Sequence, residues 1–414
     1  MKKKQIYRVF LITMCYIIIF GNIIFNSAYG REVYDKNLIE KILDNADDNL
    51  YNILINKDKY EVQVLYTRIK RDGLNRPCFT THSYNVDSNQ YFYPASSIKL
   101  SACALALEKL NNLNIEGLNK DTPLKVGKDR WSQKSQSKDI GTKDGLPTIA
   151  NFIKKVLVVS DNNSYDRLYE FLGQQYYNET MWKKGYKDFL VLHRLGNPTS
   201  YNENKYTNSF RFYNNNNVIY DKPMVFNENS YINENLEGLN KGIGYYRNNK
   251  YIKSSKNFSK SNYISIECLQ EVMKAIMFPD YIEENKKFNL SKDDFDFLKQ
   301  YMCMVPSQCD NPRYNYKDSF VKYFIYGDSD KEIPDYIKIY NKIGSAYGYL
   351  IDNAYIVDEK HDVEFLLTSV IYCNENNIFN DNKYNYSNIG IPFLAKLGRA
   401  IYTYELNSRI QEIK

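Results

Sequence analysis

Residues 93–110 read YPASSIKLSACALALEKL, and the rest of the chain is organised around that stretch. Ile98, Leu100, Ala102, Cys103, Leu105, Ala106, Leu107 and Leu110 occupy almost the whole circumference of a helical wheel. That pattern predicts a helix over about 96–110 enclosed by a core rather than laid on its surface. Two polar residues at its start, Ser96 and Lys99, are three positions apart, so a helix puts them on one face a turn apart.

Upstream, residues 60–69 alternate polar side chains with Val62, Val64 and Tyr66 and run into Asp72-Gly73, a hairpin signal. Before them, Ile39, Ile42, Leu43, Leu50 and Ile53 recur at helical intervals over 36–55. Downstream, helices are expected near 148–159, 163–172, 268–277 and 293–304, with an Asn-rich surface elaboration at about 213–263. The end of the chain predicts strands over 340–350 and 353–358 around an Ile351-Asp352 turn, a buried strand over 365–372 and a closing helix over 391–406. Strands at both ends with helices between them predict an α+β protein whose antiparallel sheet is built from both chain ends and carries an inserted all-helical lobe.

Composition excludes several classes. The 414 residues, 43% apolar and 25% charged with 40 Tyr, 21 Phe and 2 Trp, supply a packed core and too little charge for disorder. The net charge of +6 owes 4 units to Lys2, Lys3, Lys4 and Arg8, leaving 51 basic and 49 acidic residues beyond position 30. Such a surface gives no electrostatic case for binding nucleic acid. The excess of Asn, Lys, Tyr and Ile fits an AT-rich coding bias.

Residues 1–30 have the form of a secretory signal: a basic start, an apolar stretch over 9–20, and small residues Ala28 and Gly30 before Arg31. The uncharged run over 9–30 is also long enough for an uncleaved membrane anchor. Met14 before Cys15 lacks the small residue of a lipobox. The mature domain is then 31–414, expected to be exported, periplasmic or secreted. Its six cysteines permit disulfides without fixing their pairing. No Cys-x-x-Cys occurs, and His82, His193 and His361 show no ligand spacing, so no metal and no cofactor are expected.

Ser-x-x-Lys occurs at Ser96/Lys99, Ser135/Lys138 and Ser319/Lys322, so context must decide. A serine hydroxyl needs a base within reach to become a nucleophile, and burial lowers a lysine pKa toward the range where it serves as one. Only Ser96/Lys99 opens a buried helix, whose N-terminus also favours a developing oxyanion. The competing reading is a helix cap followed by a snorkelling lysine. Two more motifs decide between them: Ser160-Asp161-Asn162 after the apolar run over 156–159, and Lys342-Ile343-Gly344-Ser345 on an expected strand.

Ser-x-x-Lys, Ser-Asp-Asn and Lys-x-Gly in that order resemble the set of class A β-lactamases and penicillin-binding proteins. The resemblance spans roughly residues 62–406 and implies the β-lactamase/transpeptidase-like fold. It makes Ser96 the acylated nucleophile, Lys99 its proton acceptor, Ser160 the relay to the leaving nitrogen and Asn162 a donor to the substrate amide. Lys342 would hold Ser160 and attract a substrate carboxylate, and the backbone N–H groups of Ser96 and Ser345, beside Gly344, would form the oxyanion hole. Asp161 is read as a local backbone acceptor, and Trp131, followed by Ser132, is similar to the aromatic residue at the cleft mouth of that family.

Two departures qualify the match. Ile343 stands where the family carries a hydroxyl, a role Ser345 takes over in part. No Glu-x-x-Leu-Asn occurs between Leu190 and Phe212, where the family keeps its deacylating Glu; Glu203 is the acid of that segment. The resemblance therefore implies an exported serine hydrolase of class A β-lactamase type, acting as a monomer on a β-lactam or peptidoglycan-derived small molecule. The alternatives are a peptidoglycan D,D-peptidase or penicillin-binding-type hydrolase that deacylates slowly, and an inert binding scaffold.

Overall fold

Segments that alternate in hydropathy at opposite ends of the chain pair with one another. The computed structural model describes residues 37–44, 48–142, 144–215 and 217–413; the leader read over 1–30 lies outside them. From the N-terminal part come α1 (Asn37–Asp44), α2 (Asp48–Ile55), β1 (Gln63–Arg71) and β2 (Pro77–Tyr84). The helical lobe holds α3 (Lys99–Leu113), α4 (Ile149–Val159), α5 (Asn162–Leu172), α6 (Gln174–Lys183), α7 (Ile266–Met277) and α8 (Lys292–Cys303). The C-terminal part supplies β3 (Ile337–Ala346), β4 (Tyr349–Asp358), β5 (Val363–Tyr372) and α9 (Ile391–Ile413).

These strands form one antiparallel sheet in the order β3-β4-β5-β1-β2. The central strand β5 is buried on both faces, and its period of two divides its side chains between two cores. Leu366 and Val370 face the helical lobe, while Phe365, Leu367 and Ile371 pack with Phe393, Leu394, Leu397 and Ile401 of α9 and with Ile39, Leu43 and Leu50 of α1 and α2. The layers are helix, sheet, helix. From Lys99 to Glu108, α3 is buried throughout, as its all-round apolar wheel requires.

Four expectations differ from the structure. The hairpin turn lies at Tyr347-Gly348, with φ of 52° and 83°, not at Ile351-Asp352. Two consecutive left-handed residues are what a two-residue hairpin needs, and Tyr-Gly is a weaker signal than Asn-Gly. Asp352 sits inside β4, fully buried, accepting from Asn341 Nδ2 at 2.7 Å and from the N–H groups of Tyr323 and Phe324 at 3.0 and 3.1 Å. The helix expected over 96–110 is a 3₁₀ turn, Ala95–Ile98, followed by α3, and the helical stretch over 36–55 is two helices.

The Asn-rich segment, fourth, is not surface elaboration alone. Asn217–Lys222 pairs with Phe210–Asn214, Gly244–Arg247 pairs with Lys250–Ile252, and Phe258 is fully buried against Tyr91 and Tyr93. The helix α6 was not anticipated at all. Cys78, Cys103, Cys268, Cys303, Cys309 and Cys373 are free thiols. Among the described residues no helix is long and apolar enough to cross a membrane.

A buried polar knot ties α7 to the sheet. Gln270 accepts from Thr67 Oγ1 at 2.6 Å and donates to the Leu65 carbonyl at 2.9 Å and Thr368 Oγ1 at 3.1 Å. Replacing it with Ala leaves a hole and removes three buried hydrogen bonds. Gln270→Ala should lose about 2–4 kcal/mol in a urea unfolding curve.

Candidate active site

Ser96 enters the site on a strained turn. Ala95 precedes it with φ of 49°, a left-handed conformation that non-glycine residues adopt only when the surroundings impose it. The turn is closed by Ser97, whose N–H and hydroxyl both donate to the Pro94 carbonyl, at 3.1 and 2.6 Å. Lys99 begins α3 with its side chain fully buried. Its Nζ donates to the Ser160 carbonyl and to Asn162 Oδ1, both at 2.6 Å, lies 3.5 Å from Ser160 Oγ, and faces the Tyr165 ring.

The motif around Ser160 is the joint between two helices. Ser160 ends α4 in the left-handed region, with φ of 58°, and Asp161 caps α5 by accepting from the Ser164 N–H at 2.7 Å. The abrupt reversal points the Ser160 hydroxyl at the sheet. There Lys342 of the edge strand β3 donates to Ser160 Oγ at 2.8 Å and to the Ile343 carbonyl at 3.0 Å. The strand comes this close because residue 344 is glycine: a Cβ there would stand 2.6 Å from the Pro94 carbonyl oxygen and 3.3 Å from the Ser96 nitrogen. Ile343 points away and packs in the core beneath α9.

Two buried amines thus converge on one serine. Burial lowers the Lys99 pKa to about 7, against the opposing pull of Asp161 and Asp166. Burial, and then the charge of Lys99, pushes Lys342 well below the ordinary lysine value. An amine that exchanges its proton near neutrality, next to a serine hydroxyl, has the equipment for general-base work.

A strap over 192–209 closes one side of the site. Asp166 of α5 accepts from the N–H groups of Leu195 at 2.7 Å, Gly196 at 3.1 Å and Asn197 at 2.7 Å. Arg194 bonds Glu170 at 2.8 Å and the Tyr206 carbonyl at 2.7 Å, and Tyr169 donates to the Asn204 carbonyl at 2.7 Å. At Gly196 the strap lies on the Ser160-Asp161-Asn162 joint so closely that a Cβ would stand 2.9 Å from the Asn162 carbonyl carbon. Glu203 does not join the cluster around Ser160. Its carboxylate accepts from Arg130 Nε and Nη2 at 3.1 and 2.7 Å and from Ser132 Oγ at 2.5 Å, and the Arg130 guanidinium holds its pKa below the usual carboxylate value.

The open face is a cleft of about 330 Å³ lined by Ser96, Asn162, Ser345, Tyr93, Leu195, Tyr347 and the loop residues Asn380, Asn382 and Tyr384, among others. Ser96, Lys99, Ser160, Asn162, Lys342, Gly344 and Ser345 are therefore brought together. Trp131 is 80% exposed on the loop next to Ser132 and is not part of the lining. The aromatic and amide walls were missed in the sequence: Tyr347 follows from the relocated turn, and Asn380 to Tyr384 belong to a loop without a motif.

An antiparallel sheet from both chain ends, a helical lobe with Ser-x-x-Lys at the start of its buried helix, and Lys-x-Gly on the edge strand occur together here. Residues 46–217 match the model of the beta-lactamase enzyme family. The solved structure of PBP-A aligns over 90% of this chain and 97% of its own, with a TM-score of 0.50 at 12% identity. The chain has the serine β-lactamase/penicillin-binding-protein fold. Lower TM-scores of 0.47 are found for the β-lactamase of Burkholderia phymatum, at 13% identity over 88% of this chain and 98% of that one, and for that of Streptomyces albus G, at 11% over 86% and 99%. No curated protein sequence matches the chain.

Within this β-lactamase-type fold the strap depends on Asp166. Asp166→Ala would leave three N–H groups without their acceptor and should cost about 2–3 kcal/mol in urea unfolding. The same variant should be cut faster by protease within residues 195–204 while the rest of the chain stays resistant.

Proposed function

We propose that the chain is an exported serine hydrolase of the β-lactamase type that attacks a β-lactam or related amide through Ser96 and releases the acyl group slowly. The observation that carries this reading is the pair of buried amines, Lys99 and Lys342, placed about Ser160 beside Ser96. In the proposed step, neutral Lys99 takes the Ser96 proton, Oγ adds to the carbonyl carbon, and the oxyanion is met by the backbone N–H groups of Ser96 and Ser345. As the C–N bond breaks, Ser160 gives its proton to the leaving nitrogen and is reprotonated from the lysine side. Asn162 spends its Oδ1 on Lys99, which leaves its Nδ2 to donate to a substrate carbonyl.

Slow release is supported by what surrounds the cleft. Among the described residues its lining contains no carboxylate, and Glu203 is held by Arg130 and Ser132. General-base assistance to water is worth roughly 100- to 10,000-fold, so an acyl-enzyme lacking it accumulates. The same observation favours a penicillin-binding or D,D-peptidase role as the second reading. Release of D-Ala from a muropeptide would select it, and ring opening of the lactam with turnover would select the first.

The test is intact-mass analysis of the mature protein with a chromogenic cephalosporin, with Ser96→Ala alongside. A single adduct on wild type and none on Ser96→Ala is expected; no adduct on either would overturn the β-lactam reading and leave Ser96 needing a different substrate. The acylation rate should rise with pH, reaching half its plateau near pH 7, because the neutral form of Lys99 is the active one. At pH 6 it should be roughly tenfold below the plateau. A rate that falls as pH rises through 7 would rule Lys99 out as the base.

A further inference from the structure

The end of α4 remote from Ser160 borders a second cavity, of about 270 Å³. The 11 residues of α4 rise about 16 Å between it and the catalytic cleft, and the two linings share no residue. One polar group in it has no use in the fold. Asn151 lines the cavity and is only 4% exposed, yet neither its Nδ2 nor its Oδ1 has a hydrogen-bond partner among the described residues. Its backbone N–H alone is spent, on the Thr148 hydroxyl at 3.0 Å. A buried carboxamide without partners is costly, and a ligand that brings a donor and an acceptor side by side relieves that cost. The amide has its room because residue 141 is glycine: a Cβ there would stand 2.8 Å from Nδ2 and 2.9 Å from Oδ1.

The rest of the lining narrows the ligand. Phe297 and Tyr301 of α8, edge to face at 4.9 Å, give a wall of carbon. Asp121 and Asp144, both exposed, add carboxylates that accept from O–H groups. An anion meets these two carboxylates against the single ammonium of Lys154. An organic cation brings no acceptor for Asn151 Nδ2, and it meets rings that already carry lysines, Lys120 at 5.5 Å from the Phe297 centre and Lys154 at 5.7 Å from that of Tyr301. What fits is a neutral ring with an apolar face and adjacent hydroxyls, each hydroxyl being donor and acceptor at once. The volume lies below the roughly 300–1,000 Å³ of pockets for drug-sized ligands, which leaves room for one such ring. We propose that this cavity binds a single neutral sugar residue, with two neighbouring hydroxyls on the Asn151 amide, further hydroxyls on Asp121 and Asp144, and its C–H face on Phe297 and Tyr301. The site is independent of the acyl-enzyme reading.

The experiment is saturation-transfer NMR on the whole protein with D-glucose, D-galactose, D-mannose and N-acetyl-D-glucosamine as probes. At least one should bind, with millimolar affinity and with its ring C–H protons saturated most strongly. Ser96→Ala should bind it equally. Asn151→Leu should lose at least tenfold in affinity while keeping its urea midpoint, since an apolar side chain of similar size replaces an unpaired amide. Asp144→Ala, a change at an exposed position, should weaken binding at least threefold. A linear trimer of the bound sugar separates the sources: binding no weaker than the monomer's assigns the site to a glycan end, and no binding assigns it to the free sugar. No transfer to any of the four probes, or binding unchanged in either cavity variant, would overturn the proposal. So would loss of binding in Ser96→Ala, which would place the sugar in the catalytic cleft, or equal competition by acetamide, which carries donor and acceptor without hydroxyls.

Discussion

The desolvation of two lysines is the constraint on which the site depends. An isolated ammonium buried without partners would be very unfavourable, and the fold answers by giving each amine specific acceptors and lowering both pKa values. The acceptors come from two places in the chain: Ser160 and Asn162 at the joint between α4 and α5, and the Ile343 carbonyl of the edge strand β3. Ser160 takes part in the bonding of both amines, so the cluster ties the helical lobe to the sheet through it. A single arrangement serves both packing and reactivity.

Close backbone approach is the second requirement. Gly344 lets β3 touch the Ser96 turn, and Gly196 lets the strap lie on the Asn162 backbone. Neither contact tolerates a side chain, and both press on segments already in left-handed conformations, Ala95 and Ser160. The strap is in turn fixed from below by Asp166, from within by the Arg194–Glu170 pair, and from outside by Arg130 on Glu203. What faces the cleft is a floor of polar groups, Ser96, Asn162 and Ser345, and a wall of Tyr347 and the loop carrying Asn380 and Asn382.

Much of this was legible in the residues. The all-round apolar wheel after Ser96, the apolar run before Ser160 and the buried strand β5 are local patterns, and local patterns specify elements. The sheet from both ends followed from the order of those elements. What could not be read were features set by tertiary contact: the Tyr347-Gly348 turn, the 3₁₀ geometry at Ser96, and the burial of Phe258 from within an Asn-rich segment. Ion pairs also escape sequence reading, and Glu203, which stands as the acid of its segment in the linear chain, is folded onto Arg130 73 residues away.

The sheet order also bears on how the molecule is made. β1 is hydrogen-bonded along its length to β5, with Gln63 opposite Val370 and Arg68 opposite Phe365. No amount of local structure in the first part of the chain closes that ladder, and such non-local pairing slows folding. During synthesis from the N-terminus, β1 and β2 wait as an unsupported hairpin until β5 has emerged. Ser96 in turn waits for Lys342. A nascent or truncated chain ending before β3 exposes apolar strand faces and lacks Lys342, so the cluster around Ser160 is complete only when nearly the whole polypeptide is present.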